Sequence, residues 1–74
     1  MTHDEPMETV PIRDDMIRLG QFLKLADLIE SGSEAKAVLE AGEISVNGEV
    51  ETRRGRQLHR GDVISGFDRE VRVD

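Results

Sequence analysis

From Arg53 to Arg60 the chain reads Arg-Arg-Gly-Arg-Gln-Leu-His-Arg, four arginines and one histidine without an acid. Guanidinium groups keep their charge at any physiological pH and present a planar fork of N–H donors that matches phosphate oxygens two at a time, so such a run suits a polyanion. The plainer alternative is a solvated loop between strands, and charge pattern alone weighs the two evenly. Lys36 falls in the first turn of a helix predicted below, where the helix dipole disfavours a cation by roughly 0.3–1 kcal/mol. Glu40 follows it in the weaker Lys-before-Glu order, so a bound phosphate would relieve a conflict there, whereas a solvent-facing lysine needs no partner. Arg18, at the start of the first predicted helix, and Lys24, on the side of that helix, read as surface cations. Asn47-Gly48 is turn chemistry first, and only second a turn tip that touches a ligand.

Other chemistries find little to work with. The chain has no cysteine and two histidines, His3 and His59, far apart in sequence, so no metal-binding spacing exists and neither a metal nor a disulfide is expected. Phosphate loops need several glycines at one strand-to-helix junction, and the seven here are scattered among turns. With 35% charged residues, an Asp or Glu is ordinarily a solvated surface group, and a chain this short has little room for a catalytic pocket. No enzyme and no cofactor are expected. Base-stacking platforms are also lacking, since Tyr and Trp are absent and the aromatics are Phe22 and Phe67. Any nucleic acid must then be gripped through phosphate charge and shape, which favours folded RNA over single strands.

The net charge of −6 argues against a polyanion until its distribution is considered. Asp4, Glu5, Glu8, Asp14 and Asp15 face Arg13 alone in the first fifteen residues, which leaves −2 on the rest of the chain. The N-terminus lacks the basic and apolar regions of a signal peptide, and no apolar run reaches the roughly 20 residues that cross a bilayer. A cytoplasmic location without membrane contact is the expectation.

Seventy-four residues hold one small domain, and Leu, Ile, Val and Phe make up 20 of them, enough for a marginal core. Residues 1–14, charged and carrying Pro6 and Pro11, read as a flexible acidic tail. From Ile17 the spacing predicts a first helix whose stripe is Leu19, Phe22, Leu23, Ala26 and Ile29, with Ile17, Leu25 and Leu28 off that stripe. Ser31-Gly32-Ser33 breaks it, with Gly32 ending one helix and Ser33 capping a second that runs from Glu34 to about Ala41, where Gly42 stops it. The period then becomes two: Ile44, Val46, Val50 and Thr52 flank Asn47-Gly48, which predicts a hairpin of either two-residue or three-residue loop. Leu58 is an apolar anchor in the arginine run, Gly61-Asp62 a turn, Val63-Ile64 a third strand, Phe67 a cover for the core edge, and Glu70–Val73 a final edge strand.

The ordered pieces Arg18-Leu19-Gly20-Gln21-Phe22-Leu23-Lys24, Ser33-Glu34-Ala35-Lys36, Gly42 to Val50, Thr52-Arg53-Arg54-Gly55-Arg56 and Gly61-Asp62-Val63-Ile64 resemble the RNA-binding domain of the small-subunit ribosomal protein S-four family. The Gln-Phe-Leu-Lys-Leu start and the Val-Glu-Thr-Arg run are similar to its short stand-alone bacterial members of the YbcJ-like type. The resemblance covers about residues 17–65. It implies an α+β fold, the αL motif, with two N-terminal helices packed on a small, mainly antiparallel twisted sheet and RNA along the groove between the second helix and the sheet loops. By position it assigns Arg18 to the arginine that begins the first helix, Lys36 to the basic position of the second, and Arg53, Arg54 and Arg56 to the basic loop. Many members carry aspartate at the position of Gly20 and a Ser-Arg pair at Gly32-Ser33, which implies a lower affinity here.

Together these observations predict an acidic tail over 1–14 and a monomeric S-four-like domain over 15–74. It is expected to bind structured RNA, with ribosomal RNA a candidate, through Arg18, Lys24, Lys36, Asn47, Arg53, Arg54, Arg56 and Arg60. If about 4–5 phosphates are contacted, log K falls with log salt at a slope of roughly −3 to −4. Two other readings stand beside it: a protein-interaction module for an acidic partner, and an accessory domain to an RNA-modifying enzyme carried on another chain.

Overall fold

The apolar stripe of the first helix is buried as its spacing requires, but the helix that carries it is short. In the computed structural model, which describes residues 7–74, Leu19, Phe22 and Leu23 are fully buried on α1 (Leu19–Leu25). Ala26, Leu28 and Ile29 are buried too, from a segment that is no longer helical. What ends α1 is Asp27 in the left-handed region, φ 62°. The Leu28 amide reaches back to the Leu23 carbonyl at 2.9 Å and the Asp27 amide to Lys24 at 3.1 Å, a pair of bonds that closes a helix end while Leu28 folds onto Leu23. An L residue disfavours this conformation, and a carboxylate opposes the dipole at a helix C-terminus. Asp27→Gly is therefore expected to raise stability by about 0.5–1 kcal/mol, or the melting temperature by a few degrees. Thermal unfolding that shows no gain would remove this role from Asp27.

Gly32 does not end the first helix. It is the first residue of α2 (Gly32–Glu40), whose N-cap is Ser31 rather than Ser33. Glu34 turns its carboxylate back to accept the Glu30 amide at 2.9 Å, and that partner fixes the start of the helix earlier than the serine pattern alone suggests.

Two strands precede the helices, so the helices are not N-terminal. Glu8–Val10, expected to lie in a tail of weak order, form β1; Met16–Arg18 form β2, taking Ile17 out of the helix it was expected to begin. Residues 1–6 of the expected tail lie outside the described residues. After α2 come β3 (Ser45–Val46), β4 (Glu49–Val50), β5 (Gln57–His59), β6 (Val63–Gly66) and β7 (Arg69–Val73). Five strands make one sheet in the order β1-β7-β6-β3-β4, antiparallel except where β1 runs parallel to β7, and β2 pairs with β5 in a separate antiparallel ribbon. The last strand is thus not an edge, because β1 covers it. An ion pair from Arg69 to Glu8 at 2.6 Å and the Asp74 amide bond to the Val10 carbonyl at 2.9 Å hold β1 in place.

The hairpin takes the two-residue loop. Ser45 faces Val50 and Val46 faces Glu49, with Asn47 at φ 52° and Gly48 at φ 88°, as a type I′ turn requires. That register leaves Val50 63% exposed while Val46 is buried. Phe67 does not cover the core edge: with Asp68 it forms a left-handed turn between β6 and β7, φ 52° and 64°, and the residue is 46% exposed. The core joins the α1 stripe to Ala35 and Leu39 of α2, to Ile44, Val46, Ile64, Val71 and Val73, and to Leu58 on β5.

Candidate nucleic-acid interface

The arginine run is neither a free loop nor uniformly basic at its surface. Its backbone closes over the start of α1: the Leu19 amide donates to the Arg56 carbonyl at 2.8 Å and the Gly20 amide to the Arg54 carbonyl at 2.9 Å. These carbonyls satisfy the first amides of α1, which has no side-chain cap and no acid in its first turn. Arg18 adds a bond from Nη1 to the Gly55 carbonyl at 3.2 Å. The approach is close enough that a Cβ on Gly20 would sit 3.3 Å from the Cβ of Arg54. The backbone of the segment is thus fixed against the helix, and Arg54 stands exposed above it.

Under that segment lies Glu51, a buried acid at 6% exposure that the charge pattern did not single out. Oε2 accepts the Thr52 amide, the Arg53 amide and Arg53 Nε, each at 3.0 Å; Oε1 accepts Arg53 Nη2 at 3.1 Å and Arg56 Nη1 at 2.9 Å. The Arg53 guanidinium, then the Arg53 amide and Arg56, hold the Glu51 carboxyl far below the usual carboxylate range, against the opposing effect of burial. The Arg53 guanidinium is correspondingly pushed up by its hydrogen bond to Glu51. Two of the predicted site arginines therefore share one carboxylate and carry a single net charge between them. The signal in the sequence was a lone acid two and five residues ahead of arginines, easily read as one more polar position of an alternating strand.

Three other cations converge. A groove of about 260 Å³ opens between the start of α1, the start of α2 and the 54–55 turn, lined by Arg18, Gly20, Gln21, Lys24, Gly32, Ala35, Arg54 and Gly55. No carboxylate lines it, and among the described residues none of Arg18, Lys24 and Arg54 forms an ion pair. The remaining predicted residues lie elsewhere. Arg60 ties the C-terminal residue to the segment after β1, donating from Nε to the Asp74 carbonyl at 3.2 Å and from Nη2 to the Ile12 carbonyl at 3.0 Å, with Asp15 3.7 Å from Nη1. Lys36 is exposed on α2 beside Ala35 without lining the groove. The Asn47 side chain is spent on structure: it donates to Asp62 at 3.1 Å and accepts the Val63 amide at 2.9 Å. Burial works against the Asp62 carboxylate, but the His59 amide and Asn47 outweigh it and keep its pKa below the ordinary value. Gln21, on the groove wall, was not singled out from the sequence because an exposed glutamine on a helix carries no charge signal.

Comparison with known proteins adds family to this geometry. The model of the S4 domain matches residues 10–74. The chain is 55% identical over 60 residues to the "Probable ribosome maturation protein RlbA" of Bacillus subtilis (strain 168), a match covering 78% of this chain and 84% of that protein. It is 35% identical over 57 residues to the "Putative RNA-binding protein YbcJ" of Escherichia coli (strain K12), covering 77% of this chain and 81% of the relative. The solution structure of YbcJ, described as revealing an αL motif involved in RNA binding, superposes with a TM-score of 0.70 at 30% identity, over 99% of this chain and 94% of that one. No described helix is long and apolar enough to cross a membrane.

Proposed function

Because this chain belongs to the S4 domain family, we propose that it binds structured RNA, without catalysing a reaction on it, by laying the phosphate backbone along the groove of Arg18, Lys24 and Arg54. The observation that carries this reading is the grouping of three cations that, among the described residues, have no ion-pair partner and share a groove lined by no carboxylate. Arg53 and Arg56 contribute second, since each keeps unused N–H donors beyond those given to Glu51. The names of the relatives RlbA and YbcJ support an RNA partner, and that of RlbA makes ribosomal RNA the first candidate.

Affinity then comes from displaced counterions. With about three phosphates neutralised, a folded RNA hairpin titrated at several salt concentrations gives a slope of log K against log salt between about −2 and −3. This is shallower than the sequence alone suggests, because Glu51 already occupies two arginines. Arg54→Ala weakens binding to all RNA sequences alike and reduces the slope by about 1. Affinity indifferent to salt, or an Arg54→Ala protein that binds as tightly as the parent, overturns the groove as the site.

A further inference from the structure

Resting on that reading, we infer that the groove receives one unpaired nucleotide of the RNA, its phosphate on the cationic rim and its base lodged against the uncharged floor, where the Gln21 amide reads its edge. At about 260 Å³ the groove has room for one nucleotide but not for a base-paired segment. Its walls divide by chemistry: among the described residues that line it, Arg18, Lys24 and Arg54 are charged, and the rest are glycines, Ala35 and Gln21. Two glycines leave the groove open. A Cβ on Gly32 would meet nothing within 4 Å, and one on Gly55 only the tip of Arg18 at 3.8 Å, so the space above the floor is open.

Gln21 is exposed, and its amide has no hydrogen-bond partner among the described residues. It offers a donor and an acceptor together, the combination that a base edge presents in complement. A base extruded from a helix can also stack on a guanidinium plane, which substitutes for the aromatic platform that is absent here. Phe22 is buried and Phe67 sits at the β6–β7 turn, so neither lines the groove.

The test compares two blunt RNA duplexes of one sequence, one fully paired and one with a single bulged nucleotide, each titrated by fluorescence anisotropy against the full chain. The bulged duplex is expected to bind about tenfold tighter, the order of one stacked base. Gln21→Ala removes the edge reader and Gly32→Leu fills the groove at a position without backbone strain, and each brings the ratio of the two affinities toward one. Thermal unfolding of both variants, measured alongside, shows that the fold persists. Equal, salt-dependent affinity for the two duplexes in the parent protein overturns the nucleotide pocket and leaves RNA binding standing. Absence of binding to either duplex and to a folded hairpin overturns the RNA reading with it. Uridine and adenosine 5′-monophosphates serve as competitors: displacement of the bulged duplex by either at the concentration of the RNA itself identifies a free-nucleotide site and overturns the proposal.

Discussion

A Glu51→Ala protein loses about 2–3 kcal/mol of stability, although the substitution removes an acid from the middle of a basic segment. The carboxylate accepts two backbone amides and three guanidinium N–H groups, and truncation leaves those amides without a partner in a part-buried site. The guanidinium groups themselves turn to water at little cost, because Arg53 is 74% and Arg56 32% exposed, so the amides dominate the loss. Glu51→Gln keeps an acceptor oxygen and loses less. The pH dependence follows from the depressed folded-state pKa: the carboxylate contributes its full stability above its unfolded value, about 4.3, and that contribution falls away as pH drops below it toward the lower folded value. Urea unfolding at pH 7, 5, 4 and 3 is therefore expected to show a steeper decline in the parent than in Glu51→Gln, which keeps only the part owed to groups such as Asp62. Parallel curves for the two proteins would falsify the role of Glu51 as a charged anchor.

Phe22→Ala costs about 3–5 kcal/mol, the largest expected effect of any single truncation here. Phe22 is fully buried, the largest side chain of a core shared by both helices and both sheets. A domain of this size is stable by only about 4–11 kcal/mol in total, so much of the Phe22→Ala population is unfolded at 25 °C in mild urea. Phe22→Leu preserves most of the volume and is expected to cost less than about 1.5 kcal/mol. A Phe22→Ala midpoint close to that of the parent would show that the helices close over the gap.

The burial of Leu19, Phe22, Leu23, Ala26 and Ile29 was legible because a helix turn and the residues that fold back from it keep the same side of the chain toward the core. The short length of α1 was not, since Asp27 adopts a left-handed conformation that its residue type only tolerates. The Asn47-Gly48 turn followed from local chemistry, and its loop length waited on the pairing of Val46 with Glu49. Strands β1, β2 and β5 are three residues each, too short to show a period, and they form because distant segments meet: Ile17 opposite Leu58 and Glu8 opposite Val71. The site divides the same way. The arginine run stood out by charge and Arg18 by the resemblance, but which arginines keep a free guanidinium depends on Glu51, and Arg60 is committed to the Ile12 and Asp74 carbonyls by contacts 48 and 14 residues away.

The bonds from the Leu19 and Gly20 amides to the Arg56 and Arg54 carbonyls give the arginine segment a built-in reporter of its own detachment. Either proton exchanges with deuterated solvent when the segment lifts from the helix, so their protection reports how often the segment is open. Saturating RNA should slow both protons together, by the same factor, because a single departure of the segment exposes the pair.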